Sequence, residues 1–298
     1  MKKIIILLLL VTFSACKQTD TLATYFTNDS TEVQVGGVKI IPITTPKGSF
    51  KVWTKRIGNN PKIKLLLLTG GPGLSHEYME CMESFLPKEG IELIYYDQLG
   101  TGFSDNPNDT TMWDLPRYVE EVEQVRVALN LNKDNFYILG HSWGGILGMQ
   151  YALKYQQNMK GLIISNMMAS CPEYVNPQVL SEIKAIESKK EYTNPRYMEL
   201  LMNNFYNEHI LRMPINQWPE PVTRSMSKSN SSLYITMQGP SELGLSGKLT
   251  NWDVSKQLPT IAIPTLVIGA KYDTMNPDYM KWMSQQLPKG SYLYCSKG

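Results

Sequence analysis

Residues 140–144 read GHSWG and contain a serine whose neighbours could make it a nucleophile. The G-x-S-x-G pattern carries chemistry where a strand precedes it and a helix follows it, because the serine then lies on a strained turn with its hydroxyl exposed. An apolar run at residues 136–139 precedes the motif, and a helical pattern at residues 146–155 follows it. We therefore predict that Ser142 attacks acyl groups; the alternative is a glycine-rich turn without chemistry.

Two amide donors are expected around the oxyanion that forms when a serine attacks a carbonyl group. The backbone N–H of Trp143 is the first, since this residue directly follows the nucleophile. The loop after an earlier strand supplies the second, and residues 69–73, TGGPG, occupy that position. We assign the N–H of Gly71, because glycines let a substrate oxygen approach the backbone closely; the alternative is a tight turn only.

A catalytic acid is expected at the carboxyl end of a later strand, where parallel sheets place their ligands. Asp273 follows the apolar run at residues 264–268 and is the predicted acid. It would orient a histidine and stabilise the imidazolium form of that histidine. The alternative role, capping the helix that follows Pro277, fits less well because Asp273 lies several residues too early.

The general base of such a triad is a histidine that follows the acid in sequence. The chain contains three histidines, His76, His141 and His209, and all of them precede Asp273. None of these positions is suitable for a base, since they lie beyond the oxyanion loop, beside the nucleophile and in an inserted segment. We expect the catalytic histidine beyond Gly298, with the C-terminal end of the chain truncated. The alternative is a natural end and an altered or inactive site.

His76 and Glu80 lie one helical turn apart, a spacing that could serve a metal ion. The H-E-x-x-H pattern of zinc peptidases is absent. We therefore predict a surface helix at residues 77–85 and expect no metal and no cofactor. The glycine-rich loop also lacks the G-x-x-x-x-G-K pattern of a phosphate-binding loop.

The elements around these residues alternate between strands and helices. Residues 33–44 and 49–55 predict antiparallel strands. Short apolar runs predict buried strands, and longer periodic stretches predict helices. The predicted strands are residues 63–68 and 91–96, both buried, and residues 136–139, 161–165, 264–268 and 292–295; the predicted helices are residues 77–85, 115–129, 143–155 and 278–287. This order indicates an α/β fold with a mainly parallel sheet and helices on both faces.

Residues 169–255 interrupt this alternation. They are rich in Met, Tyr and Asn, and their periodic stretches, residues 179–188 and 197–212, are typical of helices. We predict a helical cap inserted between two parts of the core, residues 31–168 and 256–298.

The composition of the 298 residues excludes several classes of protein. Hydrophobic residues make up 42% of the chain, which favours a globular core over disorder. Basic residues number 29 and acidic residues 27, so no basic excess indicates a nucleic-acid partner.

The N-terminus is typical of an export signal. Residues 1–15 combine two lysines, an apolar run at residues 4–11 and small residues before Cys16. The run is too short to span a bilayer, which takes about 20 residues. We predict a lipoprotein-type signal peptide, lipidation of Cys16, a tether at residues 16–30, and a membrane-anchored protein of the bacterial cell envelope or periplasm. The alternative is an ordinary signal peptide with a stray cysteine.

Several of these segments together resemble the proline iminopeptidases, serine peptidases of the α/β-hydrolase fold. Residues 70–73 are similar to the family's H-G-G-P-G loop, with Thr69 in place of the histidine. The other similar segments are residues 96–104 (Y-D-Q-x-G-x-G-x-S), the nucleophile turn at residues 140–145, and cap motifs at residues 194–195, 205–209, 239–242 and 252–253. The resemblance covers the whole mature chain, extends to the tricorn-interacting aminopeptidases, and implies that Asp273 is the acid.

The resemblance also implies a role for Glu242. In the family, a cap glutamate at this motif binds the free α-ammonium group of the substrate, which a charge-assisted hydrogen bond would favour. The alternative is a solvated surface glutamate. Thr274 stands where some members have a second amine-binding glutamate. The aromatic cap residues Phe205, Tyr206, Tyr234 and Trp252 could line a proline pocket or belong to the core.

The expected activity is that of a serine aminopeptidase which releases N-terminal proline, or other N-terminal residues, from short peptides through an acyl-enzyme. Its partners would be short peptides with a free N-terminus and, through the lipid, a membrane. One alternative is an esterase or amide hydrolase of the same fold. The other is a catalytically inactive, lipid-anchored binding protein, if the chain ends naturally at Gly298.

Overall fold

The computed structural model describes residues 37–174, 181–192, 194–243 and 246–298. The predicted signal peptide at residues 1–15, Cys16 and the tether at residues 16–30 lie outside the described residues. The helices of the described ranges are all too short or too polar to span a bilayer.

A single sheet runs through the described core in the strand order β1-β2-β4-β3-β5-β6-β7-β8. The strands are β1 (Val38–Thr45), β2 (Gly48–Ile57), β3 (Lys64–Leu68), β4 (Glu92–Asp97), β5 (Phe136–His141), β6 (Gly161–Ser165), β7 (Thr265–Ala270) and β8 (Gly290–Cys295). β1 and β2 form an antiparallel hairpin, β2 is antiparallel to β4, and the remaining neighbours are parallel. The predicted mainly parallel sheet is therefore confirmed.

Both faces of the central strands are covered. Leu66 and Leu68 of β3 belong to the larger core cluster, which also contains residues of α1 (Leu115–Ala128) and α2 (Trp143–Tyr155). Leu65 and Leu67 point to the opposite face and pack with Met79. Since successive side chains of a strand alternate between faces, a strand buried on both sides is a continuous apolar run.

The inserted segment forms a layer of short helices. They are α3 (Ser181–Ser188), α4 (Pro195–Leu201), a π-helix (Met202–Ile210), α5 (Glu220–Ser227) and α6 (Ser231–Met237). After this segment the core continues with β7, and α7 (Pro277–Gln286) follows β7. The two ends of the insertion meet in an isolated bridge between Ser170 and Asp253. The chain thus leaves the core after β6 and returns to it beside the same place, before β7.

The surface helix predicted at residues 77–85 is wrong in two respects. The segment is a 3-10 helix, His76–Ser84, and His76 and Glu77 are buried. Helix α5 of the cap packs against it. The carboxylate of Glu77 accepts hydrogen bonds from Lys228 and from Ser75. The burial of His76 and Glu77 is tolerated because each side chain has a polar partner. A helical sequence pattern does not reveal these partners.

Candidate active site

Ser142 occupies the turn between β5 and α2. Its backbone has φ 53° and ψ −121°, a conformation that non-glycine residues rarely adopt. Two hydrogen bonds hold it: the N–H of Ser142 donates to the carbonyl of Ser165 at 3.0 Å, and the N–H of Gly145 donates to the carbonyl of Ser142 at 2.7 Å. A strained residue fixed in this way presents its side chain above the carboxyl edge of the sheet.

The glycines of the motif are required by close backbone packing. A Cβ atom on Gly140 would lie 2.1 Å from the carbonyl oxygen of Gly144. One on Gly144 would lie 2.1 Å from the carbonyl oxygen of Leu68. Because both neighbours are backbone atoms, neither contact can be relieved by a rotamer change.

The glycine-rich loop after β3 lies against the nucleophile. A Cβ atom on Gly70 would be 3.2 Å from the Cβ atom of Ser142. Gly71 has φ 110°, a backbone conformation that glycine adopts readily and residues with a side chain do not. Thr69, at the position of the family histidine, donates its hydroxyl to the carbonyl of Leu74 at 3.0 Å. The side chain therefore closes the loop.

The two predicted oxyanion donors are the next residues along the chain, Gly71 after Gly70 and Trp143 after Ser142. Trp143 is the first residue of α2, and the first N–H groups of a helix have no acceptor within the helix. Gly71 lines the same cavity as Ser142. The arrangement can present two backbone N–H groups to a substrate oxygen.

Tyr78 supports the loop and was not predicted from the sequence. Its hydroxyl accepts a hydrogen bond from the N–H of Gly70 at 2.7 Å and lies 2.9 Å from Nδ1 of His141. Burial lowers the pKa of His141 to about 4, so this imidazole is neutral at pH 7. The sequence gives little indication of this role, because Tyr78 lies in a segment whose pattern predicts a surface helix.

Asp273 lies in the loop after β7 and lines the cavity that contains Ser142. Its carboxylate accepts hydrogen bonds from the side-chain amide of Asn166 and from the N–H of Met275, the latter at 3.1 Å. Burial raises the pKa of Asp273, which these hydrogen bonds oppose. Asn276 caps α7, so capping is not the role of Asp273.

Asn166 is a second residue that the sequence did not reveal. It follows β6 directly and has φ 55°, a conformation that asparagine tolerates better than most residues. The adjacent, parallel β6 and β7 bring Asn166 and Asp273 together at their carboxyl ends. Its position at a strand end was the available signal.

None of the three histidines binds the carboxylate of Asp273 among the described contacts. His76 pairs through Nδ1 with Asp97 at 2.9 Å and stacks on Trp53. His141 is bound to Tyr78. His209 lines the cavity, but its Nδ1 hydrogen-bonds to the carbonyl of Tyr272 at 2.8 Å.

Glu242 reaches the same cavity from the cap. The hydroxyl of Tyr234 donates to its carboxylate at 2.6 Å, and the hydroxyl of Tyr174 donates to its backbone carbonyl. Burial raises the pKa of Glu242 to about 7, and the bond from Tyr234 opposes this shift. Glu242 is therefore a cavity residue and not a solvated surface side chain.

The cavity between cap and core measures about 1440 Å³. Tyr206 and Tyr234 line it, whereas Phe205 is buried in the cap core and the indole of Trp252 donates to Gln150 at 3.1 Å. The volume exceeds the usual range for small-molecule pockets, roughly 300–1,000 Å³.

A sequence profile described as the alpha/beta hydrolase fold matches residues 64–295. The chain is 57% identical over 270 residues to the proline iminopeptidase of Flavobacterium johnsoniae, covering 87% of this chain and 90% of that relative. Among solved structures it is similar to the proline iminopeptidase from Mycobacterium smegmatis, with a TM-score of 0.72, 27% identity, and 85% and 89% of the two chains covered.

The chain is also similar to a second solved structure, VinJ, with a TM-score of 0.76 and 27% identity. The match covers 86% of this chain and 90% of the VinJ chain. The sheet, the nucleophile turn and these matches define an α/β hydrolase. Within that fold, the chain belongs to the proline iminopeptidase family. The resemblance drawn from the motifs is thereby confirmed.

Proposed function

We propose that the protein is a serine aminopeptidase that releases N-terminal proline from short peptides. The observation that carries the proposal is that Ser142, Asp273 and Glu242 line one cavity. The name shared by the relatives supports the choice of proline. A nucleophile and an anionic group in one cavity can select a substrate by its ammonium group and cleave it at the adjacent carbonyl.

Substrate binding begins at Glu242. Its ionised carboxylate accepts a charge-assisted hydrogen bond from the N-terminal ammonium group of the peptide. An acylated N-terminus offers no charge, so the ionised carboxylate would be left buried without a cation, which is costly. Binding of the ammonium group favours the ionised form, and because the pKa of Glu242 is raised to about 7, binding near neutral pH releases a proton.

Acylation then takes place at Ser142. Its Oγ attacks the carbonyl carbon of the first residue while a general base accepts the hydroxyl proton. The N–H groups of Gly71 and Trp143 stabilise the oxyanion, and the base returns the proton to the leaving amine. Water repeats the sequence to release the amino acid and regenerate the serine.

The general base in this proposal is a histidine, since a serine with an oriented carboxylate requires an imidazole between them. Among the described contacts, His76, His141 and His209 have other partners, namely Asp97, Tyr78 and the carbonyl of Tyr272. The proposal therefore assigns the base to none of these three residues.

The cellular setting of the proposal is the bacterial envelope. Residues 1–16 support it by their basic start, apolar run and small residues before Cys16. An acyl chain on Cys16 would hold the protein at a membrane, where it would act on exported or imported peptides.

The test compares proline arylamide with its N-acetylated form, using the full-length protein. Hydrolysis of the free amine alone is expected. A Ser142→Ala variant should lose activity, and a Glu242→Gln variant should lose about 10²-fold in kcat/KM for the free amine because it removes a charge-assisted contact. Calorimetry with prolinamide should show proton release near pH 7 in the wild type and none in the variant.

Equal rates for the two arylamides would instead support an esterase or amide hydrolase with an uncharged acyl group. Failure of Ser142 to react with an organophosphorus serine probe would support the inactive binding protein.

A further inference from the structure

The end of the π-helix in the cap is bonded to the loop that carries the acid. Nδ1 of His209 donates to the carbonyl oxygen of Tyr272 at 2.8 Å. That carbonyl belongs to the peptide group that joins Tyr272 to Asp273. A rotation of this peptide group would change the direction in which the Asp273 side chain leaves the backbone.

Arg212, three residues further on, holds the same loop in a second way. Its guanidinium carbon lies 3.4 Å from the centre of the Tyr272 ring, a cation–π stack. Its Nη1 donates to the carbonyl of Lys297 at 3.0 Å. Arg212 has φ 52°, the left-handed region that a non-glycine residue enters seldom. The left-handed backbone marks the place where the cap chain turns to present this side chain.

The loop before the acid is also held by its backbone, since the N–H of Lys271 donates to the carbonyl of Cys295 at 3.1 Å and the N–H of Tyr272 to that of Gly298 at 3.0 Å. His209 and Arg212 add the support that comes from the cap. Two donors to the Asp273 carboxylate, Thr274 and Met275, belong to its own loop and move with it. Asn166 holds the side chain from outside the loop, but it does not hold the loop backbone. His209 and Arg212 bind the residue immediately before the acid, and Arg212 also binds the chain after β8.

We propose that His209 and Arg212 are positioning residues, which fix the Tyr272–Asp273 peptide and thereby the direction of the acid. The inference rests on the proposed catalytic role of Asp273. The cap then does two things: Glu242 binds the substrate amine, and His209 and Arg212 complete the geometry of the core. Substrate binding and the chemical step thus both depend on how the cap is positioned on the core.

The experiment measures the full-length protein with two reactions. Proline arylamide hydrolysis reports the proposed activity, and the rate of inactivation by an organophosphorus probe reports the reactivity of Ser142 without an amine substrate. The variants are His209→Ala, His209→Asn, Arg212→Ala and Arg212→Lys. Glu208→Ala is the matched control, because Glu208 is an exposed residue on the same π-helix that does not line the cavity.

We expect His209→Ala and Arg212→Ala to lower kcat by about 10- to 100-fold, the scale of a misplaced catalytic group. KM should change less than about twofold, since Glu242 is untouched, and probe inactivation should slow by the same factor as kcat. His209→Asn should recover most of the rate, because its amide can donate to the same carbonyl. Arg212→Lys should recover little, because an ammonium group cannot stack as a planar guanidinium does.

Combination with Asp273→Asn separates positioning of the acid from a general structural effect. In the Asp273→Asn background, His209→Ala should cause little further loss of kcat, since the carboxylate that it would misplace is already absent. The same fractional loss in both backgrounds would overturn the proposal, as would rates within about twofold of the wild type for His209→Ala and Arg212→Ala. If His209→Ala does not fold, Arg212→Ala carries the test, because Arg212 is exposed. A wild type inactive on proline arylamide but reactive with the probe would refute the proposed function and leave the positioning test intact.

Discussion

The buried carboxylate of Glu242 is suited to binding an amine, but in its ionised form it lowers the stability of the folded protein. Burial favours its protonated form and raises its pKa to about 7 from an ordinary value of 4.5. The folded chain therefore binds this proton more tightly than the unfolded chain. The free energy of unfolding should fall as the pH rises from 4.5 towards 7, and the full cost should persist above 7.

Glu242→Gln should accordingly stabilise the protein at pH 8, by about 2–3 kcal/mol. Glutamine has nearly the same shape and cannot ionise. Denaturant unfolding of both proteins at pH 8 and pH 4.5 would test this, with the difference expected to vanish at the acidic pH. A difference that is independent of pH would contradict the assignment.

Gly144 should tolerate no side chain. Gly144→Ala places Cβ against the backbone oxygen of Leu68, so we expect a loss of about 3 kcal/mol in the free energy of unfolding, together with loss of activity. Gly148→Ala, in the same helix, is the matched control. Its Cβ would be 3.1 Å from Cδ1 of Leu162, the end of a flexible side chain, so a change within about 1 kcal/mol is expected. Chemical denaturation of both variants measures the contrast.

At the scale of elements, α5 of the cap and the residue that follows it are attached to the 3-10 helix by two ion pairs of different kinds. Arg224 pairs with Glu80 at 2.7 Å, and both side chains are partly exposed. Lys228 pairs with Glu77, whose side chain is fully buried. Burial opposes ionisation of Glu77, but hydrogen bonds from Lys228 and Ser75 hold its pKa below the usual range.

Lys228→Ala should therefore destabilise the protein more than Arg224→Ala. Loss of Lys228 leaves a buried carboxylate without its cation, at a cost of about 2 kcal/mol once the partial exposure of Lys228 is allowed for. Loss of Arg224 should cost less than about 1 kcal/mol. Thermal and urea unfolding at pH 7 compare the two variants, and equal losses would argue against the distinction.

The pH dependence of this pair has a definite sign. Because the pKa of Glu77 is lowered in the folded protein, the contribution of the pair is present above the unfolded pKa. It is lost as the pH falls through the folded pKa, so the wild type and Lys228→Ala should converge in stability in acid.

At the scale of the whole molecule, membrane attachment would depend on lipid and not on charge. After removal of residues 1–15, the 29 basic residues lose two lysines and equal the 27 acidic residues in number. A neutral chain has little attraction for an anionic lipid surface. Cys16→Ser should thus release the protein from the membrane fraction, as measured by fractionation and by incorporation of labelled fatty acid. Persistence at the membrane without label would refute the lipid anchor.

The local features of this protein could be predicted from its sequence. The parallel sheet follows from apolar runs whose length and order are visible in the chain, and β3 and β6 begin and end within a residue of their predicted limits. The turn at Ser142 is equally local, since the glycines, the preceding strand and the following helix lie within about twenty residues.

The tertiary structure decided which distant groups meet. The burial of His76 and Glu77 follows from contacts with Asp97 and Lys228, remote in sequence, and the predicted surface helix was wrong for that reason. Asn166 reaches Asp273 because β6 and β7 are neighbours, although 107 positions in the sequence separate the two residues. The raised pKa of Glu242 and the bond from His209 to Tyr272 likewise depend on how the cap lies over the core. Periodicity and turn chemistry act over a few residues, whereas burial and charge pairing depend on the packing of the whole chain.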